Sequence, residues 1–269
     1  MQKQLIKKQD LQARSLRGYK PPFGWVGGKT RIADKVIALF PQHSVYVEVF
    51  AGGLSVLYAK TRSKIEIVND IDDDLINLHR TIQRKPLALA EALERLLVSR
   101  RLFERIRDGE AEPRNSVERA AFKFYLISIS FSAKCGVFAM PKVNSKVRGL
   151  WRDWVKASQR LKGVCIESLH YEKLIKNYDS AETLFYCDPP YVKCENYYLG
   201  SLNGGFTYED HKRLAELLRG IKGKFVMSYN DCDLVRELYK GCDFYEIPHT
   251  YTINGTKPKA ANEVVIVGG

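Results

Sequence analysis

Apolar positions along the 269-residue chain follow two rhythms. Short extended runs stand at Val45–Phe50, Ile65–Asp70, Val164–Ser168, Thr183–Cys187, Phe225–Tyr229 and Glu263–Val267, and each predicts a strand. Helical spacing links Ile32, Val36, Ile37 and Leu39 up to Pro41, and again Leu54, Val56, Leu57 and Tyr58. Between Asp72 and Gly163 the helical rhythm takes over, as in Leu89, Leu93, Leu96, Leu97 and Ala120, Phe124, Ile127, and strand signals are scarce. The pattern predicts an α/β sheet domain from residues 19–71 and 164–269, a mainly helical insertion over 72–163 and a polar, basic arm over 1–18. Within the insertion, Phe131–Phe138 reads as a loop or short hairpin.

Two glycine-bearing turns punctuate the sheet half. Ala51-Gly52-Gly53 follows the first strand and precedes a helix, which is the opening of a Rossmann-like cofactor site, where missing side chains let a ligand approach the backbone. Asp70 ends the next strand 20 residues after Phe50 (70 − 50 = 20), where an acid can accept from ribose hydroxyls. Gly28-Lys29-Thr30 invites a phosphate-loop reading but lacks the glycine at position 23, where Phe23 stands, and lacks a preceding strand. A nicotinamide dehydrogenase is disfavoured because the Gly-x-Gly-x-x-Gly fingerprint is missing.

The strongest chemical signal is Asp188-Pro189-Pro190-Tyr191 at the end of the apolar strand carrying Leu184, Phe185 and Tyr186. Proline holds φ near roughly −65° and pushes its predecessor into extended conformations, so this loop is stiff. It sits where open α/β sheets bind ligands. A carboxylate, the Pro189 carbonyl and an aromatic face in fixed relation suit an aromatic ring bearing an exocyclic amino group. The competing interpretation is a tight turn with Tyr191 packed locally.

Charge adds a partner class. Forty-three Lys and Arg against 31 Asp and Glu leave +12, which favours a polyanion without choosing among DNA, RNA and an acidic membrane. The basic run includes Lys142, Lys146, Arg148, Arg152, Lys156, Arg160 and Lys162, and it reads as a phosphate-facing stretch or a solvated helix face. Six scattered cysteines form no metal or disulfide framework. Without a long apolar stretch or a signal-peptide core, the expectation is a cytoplasmic protein that does not enter a membrane.

Taken in order, Trp25 to Lys29, Phe50 to Gly53, Asp188 to Tyr191, Phe206-Thr207-Tyr208-Glu209-Asp210-His211 and the closing Glu263–Val267 strand resemble the Dam-like DNA adenine methyltransferases. The resemblance covers roughly 20–70 and 164–268 and implies transfer of a methyl group from S-adenosylmethionine to adenine N6 in double-stranded DNA. It implies a Rossmann-like S-adenosylmethionine-dependent sheet in which the helical insertion recognises the DNA target. The cofactor site would then comprise Trp25, Lys29, Phe50, Ala51, Gly52, Gly53, Asp70 and Asp188, and the catalytic loop Asp188, Pro189, Pro190 and Tyr191. Lys142, Lys146, Arg148, Arg152 and Lys156 are the expected DNA contacts, Phe206 and Asp210 stand beside the cofactor, and 193–205 is a flap over the flipped base. No metal is expected. Two departures from the family pattern stand out: Leu54 replaces a frequent glycine, and His170 stands where an aspartate near the cofactor adenine is common. Methylation of cytosine N4, RNA or a protein amide, and a non-catalytic nucleic-acid-binding subunit, are the alternatives.

Overall fold

The computed structural model describes residues 19–139, 153–192, 205–251 and 259–269. The arm over 1–18, the 142–152 part of the basic run and the expected flap up to residue 204 lie outside these residues. Among the described residues there are seven strands: β1 (Val45–Glu48), β2 (Ile65–Asn69), β3 (Cys165–Glu167), β4 (Thr183–Cys187), β5 (Lys224–Asn230), β6 (Asp243–Tyr251) and β7 (Lys259–Gly268). The described helices are α1 (Ala33–Ile37), α2 (Ser55–Ala59), α3 (Asp73–Arg84), α4 (Pro86–Glu94), α5 (Arg100–Arg107), α6 (Ser116–Ile129), α7 (Trp154–Leu161), α8 (Tyr171–Tyr178), α9 (Tyr208–Arg219) and α10 (Asp233–Leu238).

The strands form one sheet in the order β3-β2-β1-β4-β5-β7-β6. β1, β2, β3, β4 and β5 run parallel, whereas β7 pairs antiparallel with both β5 and β6. Strand order reverses at β1, flanked by β2 and β4, so the crevice favoured for ligands opens beyond the carboxyl ends of β1 and β4.

Strand periodicity explains the layers. Tyr46, Val68, Leu184, Tyr186, Val226 and Val265 point into one core, while Val47, Ile67, Phe185, Cys187, Met227, Val264 and Ile266 point into the other. Successive residues alternate faces, and both faces are covered, so these strands read as continuous apolar runs. Helices α8, α9 and α10 cover the second face. The first face packs against α1, α2 and residues of α3 to α7, among them Leu75, Leu78, Phe103, Phe124 and Trp154. The helical segment after Asp72 therefore shares the sheet's core.

A buried ion cluster fastens the end of that segment to the sheet. Arg160 on α7 meets both oxygens of Glu66 on β2 at 2.7 and 2.9 Å and donates to Leu57 O, while Lys60 reaches Glu66 at 2.7 Å. Arg160 is thus a buried strut, which removes it from the phosphate-facing run; Lys156 on the same helix is exposed.

The six expected strands are present with shifted ends: β1 stops at Glu48, β5 gains a residue at each end, and β7 begins at Lys259. The unexpected strand is β6. Pro248 interrupts its pattern, and proline is tolerated there because β6 is an edge strand. In place of a regular hairpin, Phe131–Ala133 forms a 3₁₀ turn closed by a single bridge between Ser130 and Phe138.

Candidate active site

A cavity of about 600 Å³ lies at the carboxyl ends of β1, β2 and β4, within the size range of small-molecule sites. Its wall includes Trp25, Lys29, Phe50, Ala51, Gly52, Gly53, Asp70, His170, Phe206, Asp188 and Pro190. The structure thus gathers every expected cofactor residue around one space.

The glycine turn forms one side. Gly52 has φ of +44°, and a Cβ there would stand 2.7 Å from Trp25 Cδ1, so the indole lies against a backbone that tolerates no side chain. The Gly52 N–H donates to Asp70 Oδ2 at 2.9 Å, and its carbonyl meets His79 Nε2 at 2.8 Å. Burial lowers the His79 pKa to about 4, so the imidazole is neutral and Nε2 carries the donated proton. Asn69 links the neighbouring loops: its amide donates to Val49 O and Leu169 O, and its oxygen accepts from the Leu169 N–H. Leu54 is fully buried in the left-handed region with φ of 57° and ψ of 34°, a conformation glycine adopts freely and leucine only with strain, so the turn keeps the geometry that suits the frequent glycine although a leucine occupies it.

Asp70 accepts N–H groups from both Gly52 and Asp72. Burial raises its pKa, and these two bonds partly oppose the rise. Beyond it, Phe50, Tyr171 and Phe206 form a triangle with ring centres 5.8–5.9 Å apart, a surface suited to a planar ring. His170 occupies the N-cap position of α8 without a side-chain cap bond, and its ring lies tilted against Tyr171 with 4.4 Å between centres, in the wall of the cavity. Asp210 lines the cavity, yet its oxygens serve the α9 capping box with Thr207 and an ion pair with Arg213. Burial pushes its carboxyl up, but the Thr207 bonds and Arg213 outweigh this and leave it lowered.

Across the cavity stands the stiff loop after β4. Lys29 Nζ lies 2.8 Å from Asp188 Oδ1 and 3.5 Å from Glu263 Oε1 on β7, and it donates to Gly27 O at 2.6 Å. The buried Lys29 thereby joins the Asp188–Tyr191 loop to the turn carrying Trp25. Burial raises the Asp188 pKa to about 6, against the opposing pull of Lys29. Tyr191 packs its ring nearly parallel to Tyr229 with 5.6 Å between centres, and its hydroxyl donates to Glu263. Glu48, at the end of β1, accepts from Tyr46 Oη and the Leu57 N–H, and burial drives its pKa up to about 8.

Sequence reasoning missed Asn69, His79, Tyr171, Glu48 and the site role of Glu263. His79 had a signal, since it continues the apolar spacing of Leu75 and Ile82 along α3. Glu263 had none, because its partners lie far away in the chain. Lys156 stands exposed on α7, away from the residues that line the cavity.

A mainly parallel sheet with a topological switch, a glycine turn, an acid on the next strand and an Asp-Pro-Pro-Tyr loop together define a Rossmann-like S-adenosylmethionine-dependent methyltransferase fold. Residues 25–253 match the D12 class N6 adenine-specific DNA methyltransferases, and the chain belongs to that family. It is 27% identical to the Type II methyltransferase M1.LlaDCHI of Lactococcus lactis subsp. cremoris, over 91% of this chain and 93% of that one. It is 24% identical to a DNA adenine methylase of Haemophilus influenzae over 98% of each chain. A third relative, the Type II methyltransferase M.MjaIII of Methanocaldococcus jannaschii, is 26% identical over 87% of this chain and 93% of its own.

Proposed function

We propose that this DNA adenine methyltransferase takes its methyl group from S-adenosylmethionine and delivers it to N6 of an adenine flipped out of duplex DNA into the cavity. The observation that carries this reading is the Asp188 carboxylate, held at the wall of the cavity by a stiff loop and by Lys29.

The cavity fits a nucleoside-bearing cofactor. Asp70 accepts from the ribose, the Phe50, Tyr171 and Phe206 rings receive the adenine, and Trp25 and the Gly52-Gly53 turn bracket the amino-acid end. Bound S-adenosylmethionine supplies a sulfonium-activated methyl group. Adenine N6 is a poor nucleophile because its lone pair is delocalised into the ring. Asp188 and the Pro189 carbonyl would accept hydrogen bonds from the two N6–H groups and turn the lone pair toward the methyl, a polar environment set before reaction; as the N–C bond forms the S–CH3 bond breaks, and the surplus N6 proton passes to Asp188 or water. Flipping costs a few kcal/mol. Stacking on Tyr191, worth roughly 1–3 kcal/mol, offsets part of it. Phosphate contacts fall to Lys142, Lys146, Arg148, Arg152 and Lys156 in the segment that follows the 131–138 turn, and an enzyme with this substrate works in the cytoplasm.

The test combines product and variant. Nucleosides from a treated duplex, analysed by mass spectrometry, should contain N6-methyladenine. Asp188→Ala should lower kcat by about 10²–10³-fold or more while cofactor affinity stays near wild type, since the lost contact acts in the transition state. Tyr191→Phe should lose far less than Tyr191→Ala. N4-methylcytosine as product, or wild-type turnover by Asp188→Ala, overturns the reading.

A further inference from the structure

Glu263 is an acid where the fold needs none. It lies in β7, is 2% exposed, and is followed by Val264, Val265 and Ile266, all fully buried. The β5–β7 ladder is made by backbone groups, so an apolar side chain would serve the sheet equally well, and a buried carboxylate is costly unless it is partnered. Its partners lie at the chemistry. The carboxylate accepts the Tyr191 hydroxyl and stands 3.5 Å from the Lys29 ammonium, which is itself 2.8 Å from Asp188. The Lys29 ammonium also lies 4.9 Å from the centre of the Tyr191 ring, and Tyr229 on β5 backs that ring.

We propose that Glu263 is a positioning residue for methyl transfer: it sets the plane of the Tyr191 ring through the hydroxyl and, through the shared Lys29, the orientation of the Asp188 carboxylate. The assignment rests on the reading that Asp188 and Tyr191 act on a flipped adenine. One carboxylate thus ties the stacking surface to the hydrogen-bond acceptor, so that ring and acceptor move as a unit. A carboxylate at this site also acts on Asp188 through space. Asp188 is faced by Lys29 from the loop before α1, Glu263 from β7, Tyr191 from its own loop, Glu48 from β1 and Tyr186 and Cys187 from β4. Among these Lys29 and the Tyr191 hydroxyl favour the ionised form and Glu263 opposes it.

Two measurements on the full-length enzyme test the assignment. Glu263→Leu and Tyr191→Phe should each lower kcat, Glu263→Leu by about 10-fold or more, with S-adenosylmethionine affinity near wild type. Their double variant should lose less than the product of the two single penalties, because the Tyr191–Glu263 bond is removed by either change. Penalties that multiply instead would overturn the assignment. Glu263→Gln keeps an acceptor for Tyr191 but removes the charge, so the acid limb of its kcat/KM profile should move to lower pH. An unmoved limb would also overturn it, and this arm stands even where Glu263→Leu does not fold. N6-methyladenine from the wild type together with either negative result sinks the Glu263 assignment alone, whereas loss of that product or an active Asp188→Ala sinks the reading beneath it.

Discussion

Glu48 shows how far a single carboxyl can depart from its ordinary behaviour. In the unfolded chain it ionises around pH 4.5; buried at the end of β1 it keeps its proton up to about pH 8. The folded pKa is the higher one, so its contribution to stability is full below about 4.5, declines as pH rises toward 8 and is flat beyond. A tenfold difference in proton affinity between the folded and unfolded chain is worth about 1.4 kcal/mol, which puts the effect on the order of a few kcal/mol. Glu48→Gln retains an acceptor for Tyr46 and Leu57 and removes the titration. Its Tm relative to wild type should climb from pH 5 to pH 9, and a constant difference would show that Glu48 does not titrate in this window. At the same scale, Asp188, Lys29 and Asp70 were legible in the sequence because each sits in a short motif with its own backbone logic. Glu263 and Asn69 were not, because their roles arise from contacts across the sheet that local pattern does not encode.

Among the elements, α7 separates buried structural charge from solvent-facing charge. Its Arg160 and Lys156 are four residues apart and look equivalent within a basic run. Arg160 is 1% exposed and bonded to Glu66, whereas Lys156 faces solvent. Arg160→Ala leaves Glu66 buried with only part of its compensation and should destabilise the fold by about 3–5 kcal/mol in urea titrations. Lys156→Ala should stay within about 0.5 kcal/mol. Equal effects would contradict the distinction. Sequence periodicity captured most strands because burial on both faces gives unbroken apolar runs, and it failed at β6, where an edge position relaxes that demand.

For the whole molecule, the net charge of +12 becomes informative once the cavity is placed. If Arg148, Arg152 and Lys156 each neutralise a phosphate, the slope of log affinity against log salt should flatten by about 0.9 per residue in their triple Ala variant. A fluorescence anisotropy series between low and moderate salt measures it, and an unchanged slope would assign those charges to solvent. The sheet order carries a different consequence. β7 follows all the other strands in the chain yet inserts between β5 and β6, so neither of those strands has that neighbour until residues beyond Lys259 leave the ribosome. During synthesis β5 therefore presents a bare apolar edge, a hazard for misassociation that makes the nascent chain a candidate client for chaperones. The same delay withholds Glu263, so the Asp188–Tyr191 loop acquires this anchor only when β7 docks.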